Sequence, residues 1–284
     1  MNVQKKATLS LGAWRLTEQT GSGFPAETRR LDYQSPADGI DDWALLKMPA
    51  PEVSTWLVCI HGHGSRGNQL YIRPDLQKLW LPRYLERGYG ILTPNLRGNA
   101  WMGPAAVTDM DALLHFLRTQ CQAKKFLFES GSMGATSNLI YAGLRPENVA
   151  GVSARGAVID LTAYHAYCRS QAGVGLLQEI ADSLEAHYGG TPAQQPAVYQ
   201  AHSPINHADK MQNMPIFLAH GTADPIMPVS QTRTFAAALA TNPRFVYVEI
   251  PGGGHDSPLS LGYLPAASDP TAAVFQSLNW IDQE

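Results

Sequence analysis

Three short stretches of this chain carry residue types that, brought together, would perform nucleophilic chemistry. The first is Ser130-Gly131-Ser132-Met133-Gly134-Ala135, a serine with a small residue two positions away on either side. A serine lifted clear on a tight strand-to-helix turn needs such neighbours, because bulk at those positions collides with the turn. The second is His220-Gly221-Thr222-Ala223-Asp224-Pro225, where Pro225 stops both a strand ladder and a helix and leaves Asp224 in a turn. The third is Pro251-Gly252-Gly253-Gly254-His255-Asp256, whose three glycines permit the backbone conformations that carry a histidine back over a sheet edge. A serine, a histidine base and a carboxylate to orient it are the parts of acyl transfer through a covalent intermediate. Singly, each stretch has a plainer reading: a Gly/Ser turn, a capping aspartate, a flexible loop. Their placement decides between the two.

The elements that must position them follow from the apolar pattern. Thr55–Ile60 is a continuous apolar run ending at His61-Gly62-His63-Gly64, which predicts a strand buried on both faces. Further strands are predicted at 90–94, 125–129, 149–153, 215–219 and 244–250, with helices between them at 74–87, 103–120, 133–144 and 230–240. A last helix at 271–281 carries Val274, Leu278 and Ile281 as a docking stripe. Residues 27–35 and 41–48 predict an antiparallel pair turned at Pro36-Ala37-Asp38-Gly39. This alternation predicts an α/β fold with a mostly parallel sheet and helices on both faces. About sixty residues separate the strand ending near Ser153 from the one at Pro215, more than a βαβ connection needs. Within them Leu177, Ile180, Ala181 and Leu184 form a helical stripe stopped by Gly189-Gly190. Residues 157–212 therefore read as a lid-like insertion in a single domain spanning 1–284.

In an open parallel sheet, ligands bind outside the carboxyl ends of the strands. Ser132, Asp224 and His255 each follow a different strand at that edge, in the chain order of the α/β-hydrolase triad. An oxyanion hole is then expected from two backbone N–H groups, Met133 after the nucleophile and His63 in the Gly-containing loop after the first parallel strand. Candidates for the substrate walls are Asn99, Trp101 and Arg155. Arg155 has two readings, a guanidinium for a substrate carboxylate or a salt bridge to a carboxylate such as Asp160 or Glu179; Trp101 is a substrate platform or packing.

These motifs resemble the catalytic domain of the prolyl oligopeptidase family and its stand-alone esterase relatives. The likeness runs from Asp38-Gly39 to the C-terminus. It rests on the Gly62 loop, Pro94-Asn95-Leu96-Arg97-Gly98-Asn99, the elbow at Ser132, Ser203-Pro204-Ile205 and His220-Gly221-Thr222-Ala223-Asp224. The resemblance implies the α/β-hydrolase fold and a serine hydrolase. Two departures stand out: Ser130 where the family usually has Gly, and no sequence ahead of residue 38 for the propeller that gates the oligopeptidases.

Composition excludes several other classes. The 284 residues carry a formal charge of −3, with 44% apolar and 16% charged residues, so a large core is affordable and a basic nucleic-acid surface is not expected. No apolar run approaches the ~18 residues of a membrane span, and no secretory signal is visible, so the default location is cytoplasmic. Cys59, Cys121 and Cys168 lack zinc or disulfide spacing, and no cofactor or metal is expected. Gly62-His63-Gly64-Ser65-Arg66-Gly67 matches a dinucleotide fingerprint, but the polar stretch after it and Pro74 delay the helix such a site requires. His61-x-His63 has no third ligand at short spacing. The expected function is a serine esterase acting on a small-molecule ester, with a small oligopeptidase-like peptidase as the alternative. A non-catalytic binding protein of this fold is the alternative of another class; its usual mark, a missing triad residue, is absent here.

Overall fold

The computed structural model describes residues 9–11 and 14–262; the helix expected at 271–281 lies outside them. In chain order the strands are β1 (Leu9–Leu11), β2 (Trp14–Glu18), β3 (Thr28–Gln34), β4 (Asp41–Lys47), β5 (Thr55–Val58), β6 (Gly90–Pro94), β7 (Lys125–Gly131), β8 (Gly151–Arg155), β9 (Ile216–Gly221) and β10 (Phe245–Ile250). The helices are α1 (Gln69–Ile72), α2 (Pro74–Glu86), α3 (Pro104–Gln120), α4 (Met133–Leu144), α5 (Leu161–Ser170), α6 (Gly175–Tyr188), α7 (Pro196–Ala201) and α8 (Val229–Ala238).

The described strands form one sheet in the order β1-β2-β3-β4-β6-β5-β7-β8-β9-β10. From β1 to β6 neighbours run antiparallel; from β6 through β10 they run parallel. The β3–β4 hairpin closes as the Asp-Gly step requires, with Gly39 at φ 77° and its N–H bonded to Ser35 O at 2.8 Å.

Strand residues alternate between two helix layers. Trp56 and Val58 of β5 join Phe126 and Phe128 of β7 in the larger core, against Leu113, Leu117 and Leu139 from α3 and α4. Leu57 between them joins Ile91 and Leu127 on the opposite face, against Leu76, Trp80 and Tyr84 of α2. This double burial explains why the parallel strands read as unbroken apolar runs.

Helices α5, α6 and α7 and a 3₁₀ segment, Pro204–Met211, fill the long connection from β8 to β9. Leu177, Ile180, Ala181 and Leu184 form the buried stripe of α6, and Gly189 at φ 82° caps it in the left-handed conformation.

Candidate active site

Ser132 sits between β7 and α4 with φ 60° and ψ −131°, a backbone conformation a non-glycine residue holds only under constraint. The constraints are local. Its N–H donates to Arg155 O at 2.8 Å. A Cβ at Gly134 would stand 2.1 Å from Ile60 O, and one at Gly131 2.4 Å from Leu259 Cδ2. Backbone pressed against the turn thus requires the glycine at 134, while at 131 the tip of Leu259 fills the space a Cβ would take. Ser130 has a role that a glycine lacks: its Oγ accepts the Ile60 N–H at 2.9 Å, tying the turn to the end of β5.

Asp224 follows β9. Its Oδ1 accepts the N–H groups of Ile226 and Met227 at 2.8 and 2.9 Å, and its Oδ2 accepts from His255 Nδ1 at 2.7 Å. Burial alone would raise this carboxyl, but hydrogen bonds from His220 and His255 and from the Met227 amide outweigh it and hold the group well below the ordinary carboxylate range. The buried His220 places Nε2 2.8 Å from Met227 O and 3.4 Å from Asp224 Oδ2.

His255 is brought over the sheet edge because its loop crosses the end of β9. A Cβ at Gly221 would meet Gly253 O at 2.3 Å, and Ala223 N–H donates to Gly253 O at 2.9 Å. The ring then lies with Nε2 2.9 Å from Ser132 Oγ. A carboxylate only accepts, so Nδ1 carries the proton toward Asp224 and Nε2 is left to accept from the serine hydroxyl. The arrangement supplies a base, an orienting anion and a nucleophile in hydrogen-bonded series.

The loop after β5 lies beside the turn. Gly62 N–H is taken by Gln69 Oε1 and Gly64 N–H by Asn99 Oδ1, each at 2.8 Å, whereas the His63 and Met133 amides have no acceptor among the described residues. The His63 ring accepts Trp101 Nε1–H on Nδ1 at 3.1 Å and faces Glu179 Oε1 of α6 at 3.6 Å. Burial lowers its tendency to protonate, against the pull of Glu179.

A cavity of about 140 Å³ opens next to Ser132 and His255. Cys59, Leu76, Trp80 and Leu259 give it an apolar floor; Leu176 and Ile180 of α6 flank it, and Arg73 stands at its wall, ion-paired to Asp75 and Asp256. The structure places the three substrate-wall candidates from the sequence away from the cavity lining. Trp101 is 1% exposed and packs behind the His63 loop, and Asn99 serves that same loop; neither lines the cavity. Arg155 is fully buried and paired to Glu129 at 2.8 Å, not to Asp160 or Glu179. Its place inside a strand covered on both faces leaves it no path to substrate. Glu129 went unread in the sequence, although a charge closing the apolar run Phe126-Leu127-Phe128 was a signal that a buried partner existed.

His61 and His63 do not converge. The His61 ring lies between Gly62 O and Asn95 O, and among the described residues no group of three metal-ligating side chains occurs. Arg97, in the loop after β6, is paired with Asp38 and Asp109.

Solved structures share this architecture. A protein from Bacteroides ovatus ATCC 8483, designated a dipeptidyl aminopeptidase IV, superposes with a TM-score of 0.66 at 16% identity, over 91% of this chain and 36% of its own. The chain thus spans about a third of that protein's length. Est1E from Butyrivibrio proteoclasticus superposes at 0.61 with 17% identity, over 89% of this chain and 99% of its own. An S-formylglutathione hydrolase from Agrobacterium tumefaciens gives 0.60 at 11% identity, over 88% and 91%. At these identities the likeness establishes the fold, which is the α/β-hydrolase fold. No curated protein sequence matches the chain. The model of the prolyl oligopeptidase family matches residues 118–283, more than half of the chain and the part holding Ser132, Asp224 and His255, so the chain belongs to that family of serine hydrolases.

Proposed function

We propose that this protein is a carboxylic ester hydrolase working through an acyl-enzyme on Ser132. The observation that carries the reading is the hydrogen-bonded series from Ser132 Oγ through His255 to Asp224 beside a cavity. His255 takes the serine proton as Oγ attacks the carbonyl, then returns it to the leaving alcohol; water, activated by the same imidazole, releases the acid. Asp224 fixes the tautomer and stabilises the transient imidazolium. The amides of Met133 and His63 are the proposed oxyanion donors, and losing one such donor typically costs about 3 kcal/mol of transition-state stabilisation. Residues 157–212 act as a lid-like insertion in this reading, since Leu176 and Ile180 flank the cavity.

The small cavity with its apolar floor favours a short, uncharged acyl group in an ester over an extended peptide. One observation favours the peptidase reading: Asp256 and Glu179, both well exposed, stand near the mouth, where an amino terminus would pair with them. Parallel assays with p-nitrophenyl acetate, a feruloyl ester and an aminoacyl anilide decide. Ester turnover dominating supports the proposal; rapid anilide cleavage with negligible esterase activity reverses it. Fluorophosphonate labelling tests the nucleophile, and an adduct on any residue but Ser132 removes the assignment.

A further inference from the structure

We infer that Arg155 is a positioning residue that sets the approach of the His255 loop to Ser132. The inference rests on the triad reading above. Arg155 ends β8 directly beside the turn, paired in register with Gly131, and its carbonyl accepts the Ser132 N–H at 2.8 Å. Its guanidinium reaches the other partner. Nη1 donates to Pro258 O at 2.9 Å and to Leu261 O at 2.8 Å, both in the segment that follows His255. One residue therefore holds the nucleophile by its main chain and the histidine loop by its side chain.

The surroundings lock the guanidinium in place. Nη2 and Nε donate to Glu129 Oε1 at 2.8 and 3.3 Å, and Glu129 in turn accepts from Ser153 Oγ at 3.0 Å and Tyr84 OH at 3.1 Å. The cation packs against the rings of Trp80 and Phe217, 5.4 and 5.1 Å from their centroids. Trp80 adds a third anchor, its Nε1–H donating to Leu259 O at 2.7 Å.

A fully buried ion pair is a poor source of stability, because desolvation offsets the attraction and apolar replacements often fold as well. A guanidinium fork does supply fixed planar geometry toward a carboxylate and two carbonyls at once, whereas an ammonium is a compact charge on a flexible stem. Serine and imidazole must meet within a few tenths of an ångström, and a 1 Å error costs about 100-fold in rate. The buried pair accordingly serves alignment.

The test is the double variant Glu129→Leu/Arg155→Met, which removes both charges together, alongside Arg155→Lys and Ser132→Ala. Rates on p-nitrophenyl acetate are normalised to active sites titrated with a fluorophosphonate, or to total protein for Ser132→Ala, and folding is followed by thermal unfolding. The expected result is a folded double variant with KM within about twofold, kcat lowered about 100-fold and labelling slowed in proportion. Arg155→Lys is expected to fall between it and the parent. A folded double variant with the parent kcat per titrated site overturns the inference, as does a change confined to KM. Should the double variant not fold, Arg155→Lys decides by the same split of kcat from KM. An inactive Ser132→Ala with an unimpaired double variant sinks this inference alone; an active Ser132→Ala sinks the triad reading with it.

Discussion

Ser132 holds its backbone at φ 60°, and that strain separates two substitutions a simple reading would treat alike. Ser132→Ala and Ser132→Gly both remove the proposed nucleophile, and each is expected to lower kcat/KM by about 10⁴-fold or more. Glycine enters positive φ freely and alanine does not, so Ser132→Gly is expected to unfold at the higher temperature, by about 1 kcal/mol of stability. Thermal unfolding of the pair checks this, and an equal or lower melting point for the glycine variant contradicts it. Asp224→Asn keeps the volume but offers the wrong partner to Nδ1, and kcat is expected to fall about 10⁴-fold with KM little changed. Gly134→Ala forces a methyl toward Ile60 O, 2.1 Å from its ideal position. The expected outcome is a stability loss of about 1–3 kcal/mol together with slower turnover, because the atom displaced belongs to the strand end that carries the His63 loop.

At the scale of elements, α6 contributes Leu176 and Ile180 to the cavity lining. Leu176, on its exposed side at the cavity mouth, is the residue through which size selection is most directly altered. Leu176→Trp is expected to lower kcat/KM for butyryl and longer p-nitrophenyl esters far more than for acetate, and a uniform drop across the series would detach α6 from the site. How much of this was legible in the sequence differs by element. The buried strands β5 to β9 announced themselves because both faces demand apolar side chains, and the turns after them because Gly, Pro and Asp have narrow backbone roles. Strand β2 was missed: Trp14–Glu18 is largely half-exposed, so no clean alternation marks it. The short α7 lacks a stripe long enough to show a period. In the candidate site, the convergence of Ser132, Asp224 and His255 was expected from local rules. The partners of Arg155 were not, because Glu129 and Pro258 meet it only through sheet register and a loop crossing, which no local pattern encodes.

At the scale of the molecule, carboxyls lowered by their partners shape the acid limit, the buried Asp224 together with two at exposed ion pairs. Hydrogen bonds from Arg97 hold Asp38 down at about 2, and those from Arg233 hold Glu249 down at about 2. Carboxyls lowered on folding add stability that is complete above their unfolded range near pH 4 and vanishes as pH falls toward 2. Melting temperature is therefore expected to be level from neutrality to about pH 5 and to drop between about 4 and 2. Arg233→Gln, which removes the bidentate partner of Glu249, is expected to flatten part of that drop; an unchanged profile removes Glu249 from the account.

The strand order has one more consequence. Across β5, β7, β8, β9 and β10 the sheet sets down the His63 loop, Ser132, Arg155, Asp224 and His255 on successive neighbouring strands. Each step is about 4.8 Å, and a one-residue slip in any of the five would turn its side chains to the wrong face. Turnover is in that sense a readout of folding cooperativity, reporting on half the sheet at once. In a urea titration, enzymatic activity and far-ultraviolet dichroism are expected to disappear together, at a single midpoint.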